Sequence, residues 1–135
     1  LYKIITNKEL IALNQDSLGV QAKRIWTSVN CASPDKTYIT DMTRSDLLAK
    51  PLADGSVALA FFNLNKEKQA ETLTFSIDKL KTDFSKASPE FESAKKYTVT
   101  DLWTNKTYQL KASESVIFEN IESCGNQVLK ITPCL

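Results

Sequence analysis

The sequence contains no histidine, and only three glycines, four prolines, three cysteines and one methionine in 135 residues. Without an imidazole, neither a Ser/His/Asp triad nor a Cys/His pair can be assembled, and a mixed Cys/His metal site is excluded. The phosphate-cradling G-x-x-x-x-G-K and G-x-G-x-x-G loops and the G-x-S-x-G nucleophile elbow are absent as well. Cys31, Cys124 and Cys134 lack C-x-x-C spacing, which argues against a thiolate metal centre. The strand expected between Cys124 and Cys134 holds their Cα atoms far beyond the roughly 7 Å that a disulfide spans. All three read as free thiols, which slightly favours a reducing, intracellular compartment. No run approaches the roughly 18 apolar residues of a membrane-spanning helix. Seventeen basic and sixteen acidic side chains are interspersed to a net charge of +1, so neither nucleic acid nor a membrane surface has an electrostatic handle. With glycine this scarce, several turns must rely on Asn, Asp, Ser and Lys.

What is present suits one globular domain: 42% hydrophobic and 24% charged residues, at a length that buries about two thirds of the surface the unfolded chain exposes. The first nineteen residues, LYKIITNKELIALNQDSLG, carry helical spacing. Thr6 to Glu9 has the form of a capping box and predicts a helix start. Leu10, Ile11 and Leu13, with Ile4 and Ile5 before them, make an apolar face too large for two or three turns to leave in water. That face needs a partner, a larger body or a second copy. Leu1 follows no initiator Met and no targeting signature, so the chain reads as the tail of something larger. The expected division is 1–19 as the end of a preceding domain and 20–135 as a second domain.

After Gly19 the pattern shifts to short alternating or β-branched runs. Strands are expected over residues 23–29, 38–40 (short), 47–49 (brief), 56–63, 70–77, 96–103, 107–110, 114–121 and 127–132, seven or eight in substance. SVALAFFN (56–63) is apolar on both parities and suits a strand covered on both faces, whereas AETLTFSI and KYTVTDLW each leave one face to water. TDFSKASPEFESAKK reads as a polar crossover, and Asn105-Lys106 as a hairpin turn. One helix at the start followed by many short strands predicts an all-β, antiparallel Greek-key sandwich, with a barrel as the alternative.

The remaining chemistry is that of carboxylates. Glycoside hydrolysis needs two of them facing across a sugar, and Asp16, Asp41, Asp46, Asp54 and Asp101 are the available groups. Each has a structural reading beside the catalytic one. Asp54 precedes Gly55 and suits a tight turn, Asp101 ends a strand beside free amides, Asp41 and Asp46 lie in a polar excursion and read as solvated, and Asp16 sits where a helix ends and can bind the outgoing backbone. Trp26, Trp103, Tyr97 and Tyr108 offer either a sugar-stacking platform or ordinary core and interface rings. Asn105-Lys106-Thr107 matches the N-glycosylation sequon at an expected surface turn.

TNKELIALNQDSLGVQAKRIW (6–26), AKPLADGSVALAFFN (49–63), YTVTDLW (97–103) and GNQVLKITP (125–133) together resemble the C-terminal region of family 27 glycoside hydrolases, the α-galactosidases and α-N-acetylgalactosaminidases. The stretches 30–46 and 79–95 do not match. The resemblance implies a parent of two domains, an N-terminal (β/α)₈ barrel with the active site and a C-terminal antiparallel β domain, this chain being similar to the second. It implies a retaining mechanism with two barrel Asp residues, neither of them here, so no catalytic, cofactor or metal residue is carried over. It makes the barrel the expected partner of Ile4, Ile5, Leu10, Ile11 and Leu13. A carbohydrate-binding module using Trp26 or Trp103 is the competing reading.

Overall fold

A computed structural model of the chain describes residues 7–28, 44–65 and 70–134. Among these, the elements run α1 (Lys8–Asn14), β1 (Lys23–Thr27), β2 (Ser45–Pro51), β3 (Val57–Asn63), β4 (Glu71–Ser76), α2 (Ile77–Asp83), α3 (Pro89–Ser93), β5 (Lys96–Asp101), β6 (Thr107–Lys111), β7 (Ser115–Ile121) and β8 (Asn126–Cys134). Six strands form one sheet in the order β1-β2-β3-β8-β5-β6, and β4 pairs with β7 in a second. Every pairing is antiparallel. The chain leaves the large sheet after β3, builds β4 in the small one, returns for the β5–β6 hairpin, crosses to β7, and finally inserts β8 between β3 and β5. That path is the expected Greek-key sandwich with a short helix ahead of it.

β3 holds the centre because its residues are apolar on both parities. Val57, Leu59 and Phe61 point into the core, and Ala58 on the opposite face is also only 5% exposed. β5 alternates as anticipated, with Tyr97 and Val99 buried between exposed or half-exposed neighbours. Phe61 of β3 stacks on Phe118 of β7 with ring centroids 5.4 Å apart, joining the two sheets through the middle of the core. Asn63 adds a polar link: fully buried at the end of β3, its Nδ2 donates to the carbonyl of Ile121 on β7 at 2.9 Å.

A two-stranded sheet cannot cover a six-stranded one about 24 Å across. The β4–β5 connection, anticipated as a polar crossover, supplies the rest of the roof. Ser76 and Ser88 cap α2 and α3 by accepting from Lys79 N and Phe91 N. The two helices and their flanks then place Ile77, Leu80, Phe84, Phe91 and Ala94 in the core. Ile77 thus opens a helix instead of closing a strand. Tyr97 fastens this roof from below, its buried hydroxyl donating to the carbonyls of Phe91 at 2.6 Å and Ala94 at 3.1 Å.

Turns depart from the sequence reading in detail. β5 stops at Asp101, so residues 102–106, and not a two-residue Asn105-Lys106 loop, connect it to β6. Gly125 is obligatory, since a Cβ there would lie 2.9 Å from the Glu122 carbonyl oxygen. The expected strand at 38–40 lies outside the described residues. So does Thr6 of the expected capping box. The cap of α1 is Asn7, whose Oδ1 accepts from the amides of Glu9 and Leu10.

Candidate functional site

The four described candidate carboxylates are each engaged structurally. Asp16 follows α1, and its Oδ1 accepts from Leu18 N and from Ala53 N, both at 3.0 Å. Asp54 Oδ1 accepts from Ser56 N at 2.9 Å while Oδ2 pairs with Lys130 Nζ at 2.8 Å. Burial pushes the Asp54 carboxyl up, but the Lys130 hydrogen bond, the Ser56 amide and hydroxyl and the Lys130 charge outweigh it, so its pKa falls below the usual carboxylate value. Asp101 Oδ1 takes the amides of Trp103 and Thr104, and Oδ2 takes Gln127 Nε2 at 2.8 Å. Its charge, after burial, helps to raise the pKa of the Tyr108 phenol.

Asp46 corrects the sequence reading. Expected as a solvated loop residue, it lies on β2 at 5% exposure, with Arg44 Nε at 3.0 Å and Arg24 Nη1 at 3.9 Å from its Oδ2. Arg44 and Asp46 stand two apart, the spacing that places both on one face of an extended chain. That spacing was the available signal. Asp41 lies outside the described residues.

The aromatic candidates do not converge. Trp26 on β1 packs against Phe61 at a centroid distance of 6.4 Å, at the margin of the core. The Trp103 indole Nε1 donates to Asn126 Oδ1 of β8 at 2.9 Å. β1 and β8 are separated by β2 and β3, about 14 Å of sheet, so the two indoles form no common platform. Tyr97 is fully buried, and Tyr108 on edge strand β6 is 41% exposed.

The expected docking face is partly described. Ile4 and Ile5 lie outside the described residues; of the others, Leu10 and Leu13 are half-buried and Ile11 is 37% exposed. Three polar ties hold this N-terminal segment on the domain. Asn7 Nδ2 donates to the Leu102 carbonyl at 3.0 Å, the Ala53 amide donates to Asp16, and Lys50 Nζ donates to the Val20 carbonyl at 2.7 Å. Leu102 adjoins Val128 of β8, and Ala53 lies in the turn after β2. The segment therefore crosses the face of the large sheet that points away from the core. Leu52, Ala58, Leu102 and Val128 are buried yet stand apart from the main core cluster, as expected beneath such a strap. None of the strap's own helical residues is buried, and Leu18 is 47% exposed. Beside Leu18 opens a groove of about 500 Å³, lined also by Pro51, Leu52, Asp54, Lys86 and Glu90.

Residues 43–131 match the family described as the α-galactosidase C-terminal β-sandwich domain. α-Galactosidase A of Cellvibrio japonicus is 28% identical over 130 residues, covering 96% of this chain and 28% of that protein. The crystal structure of α-galactosidase I from Mortierella vinacea superposes with a TM-score of 0.66 at 26% identity, over 98% of this chain and 29% of that one. The Saccharomyces cerevisiae α-galactosidase solved with raffinose has a TM-score of 0.71 over 98% of this chain and 37% of its own; at 17% identity it attests the fold alone. The chain thus spans less than two fifths of each of these three proteins.

Proposed function

This chain belongs to the α-galactosidase C-terminal β-sandwich family, and from that membership we propose that it is the non-catalytic C-terminal domain of an α-galactosidase-like glycoside hydrolase. Its task in this reading is to pack against a (β/α)₈ barrel and stabilise it, while two barrel Asp residues hydrolyse terminal α-galactosides with retention of configuration. Residues 1–19 are then the end of the last barrel helix with its linker, and 20–135 the β domain.

The observation that carries the reading is the strap. Three polar ties fix α1 and its exit on the outward face of the large sheet, while Ile11 and Leu18 remain turned to solvent. A helix anchored by hydrogen bonds with apolar side chains still exposed is suited to be clamped between two bodies. Support also comes from the carboxylates: Asp16, Asp54 and Asp101 each accept backbone amides, leaving no open pair among them to flank a glycosidic bond.

The test is functional. The purified chain should show no turnover of an aryl α-galactoside, and calorimetric titration with galactose, melibiose or galactomannan fragments should be flat. Turnover abolished by a single Asp→Asn change would make the chain an enzyme in its own right. Sugar binding lost in Trp26→Ala or Trp103→Ala would make it a carbohydrate-binding module.

A further inference from the structure

The sequon Asn105-Lys106-Thr107 has no part in the domain-packing role. It is the sole N-x-S/T with x other than Pro in the 135 residues. Asn14, Asn120 and Asn126 are also exposed, but none is followed two residues later by a hydroxyl. All three residues of the sequon are exposed, at the tip of the β5–β6 hairpin.

The backbone of that tip is held without help from the sequon side chains. Asp101 N donates to Lys106 O at 2.9 Å, Asn105 N donates to Asp101 O at 2.8 Å, and the Asp101 carboxylate takes the amides of Trp103 and Thr104. Asn105 adopts φ of 61°, a conformation that Asn tolerates better than most residues. Among the described residues, its carboxamide and the Thr107 hydroxyl make no hydrogen bond. Both groups that a glycosylating enzyme must engage are therefore free, on a turn whose hydrogen bonds do not involve them.

We propose that Asn105 is an N-glycan acceptor, which requires the chain to enter a secretory lumen, against the compartment that its cysteines alone slightly favour. The donor class is an oligosaccharide joined through its reducing-end N-acetylglucosamine to a polyisoprenyl pyrophosphate. The Asn105 Nδ2–C bond forms at the anomeric carbon as the C–O bond to pyrophosphate breaks. The lipid pyrophosphate departs with the bonding pair, and one Nδ2 proton passes to the transferase. A glycan at this tip stands at the end of β6, the outer edge of the large sheet. Bulk there blunts edge-to-edge pairing by a strand that, among the described residues, pairs on one side only.

Cell-free translation of the full chain behind a secretory leader, with endoplasmic-reticulum microsomes, tests the acceptor apart from the native compartment. The protease-protected product should gain one glycan-sized mass step that peptide-N-glycosidase removes. Thr107→Ser should retain the step, whereas Thr107→Ala and Asn105→Asp should lose it. Protected wild-type chain without a mass step, or a step that survives in Asn105→Asp, overturns the proposal.

Discussion

Replacing Tyr97 by Phe removes one oxygen atom and leaves the ring in place, still 4.9 Å from Phe91 between centroids. The hydroxyl that disappears is fully buried and donates to two carbonyls, those of Phe91 and Ala94. Ala94 O keeps a second partner, Lys81 Nζ at 3.3 Å. For Phe91 O the only donor among the described hydrogen bonds is lost. The cost is then one net hydrogen bond, about 1 kcal/mol, plus the desolvation of one stranded carbonyl, about 1–2 kcal/mol, for a total of about 2–3 kcal/mol. At about 2 cal/mol/K of unfolding entropy per residue, that lowers the midpoint of a chain this long by about 7–11 °C. Urea unfolding followed by tryptophan fluorescence, with calorimetry for the midpoint, measures it. The m-value should hold steady, because the surface exposed on unfolding is unchanged. A loss below about 0.5 kcal/mol would refute the claim that the α2–α3 roof is pinned from within the core.

Other consequences are local. Asp16→Ala deletes the carboxylate that accepts from Ala53 and Leu18; it should cost about 1 kcal/mol, and hydrogen exchange should speed up in α1 and at Ala53 while β3 and β8 stay protected. Asp54→Asn tests the lowered Asp54 pKa. A carboxyl with a depressed folded-state pKa adds stability that is fully present above its unfolded value and is lost as pH falls through the folded one. The variant should thus be slightly weaker at pH 7, converge with the parent in acid, and show a gap that shrinks with added salt. Because both partners are substantially exposed, that gap should stay below about 1 kcal/mol.

Much of the sandwich is legible in the sequence because its strands bury one face or both. VALAFFN can hardly be anything but a central strand, and the alternation in KYTVTD fixes which side of β5 meets the core. The roof is not legible in the same way. Leu80, Phe84 and Phe91 are scattered among Lys, Ser, Asp and Glu, and helices of seven and five residues are too short to show a period. What the sequence does carry there is capping chemistry, with Ser88 followed by Pro89 at the first helical position and Ser76 ahead of an acidic first turn. Asp46 was hidden by the opposite fault. Its polar neighbours in sequence suggested water, whereas its neighbours in space are two guanidinium groups.

The shortage of glycine and the engagement of Asp16, Asp54 and Asp101 in backbone hydrogen bonds belong together. Of the five described positions with positive φ, glycine fills two, and Asn105, Asn120 and Cys124 fill the others. Sharp changes of direction in this chain therefore need support from side chains. Asp16, Asp54 and Asp101 supply it in the same form, each Oδ1 accepting from the amide two residues on: Leu18, Ser56 and Trp103. Asn63 repeats the pattern with Asn65 N at 3.0 Å. An Asp that closes a turn in this way holds its charge against a fixed backbone amide. A catalytic carboxylate must instead face open space and a second carboxylate across it. Three of the residues that first suggest glycosidase chemistry, Asp16, Asp54 and Asp101, are thus ones that a glycine-poor β domain uses for its corners. Those engaged carboxylates support the proposal, drawn from the family membership, that the hydrolysis belongs to a barrel and not to this chain.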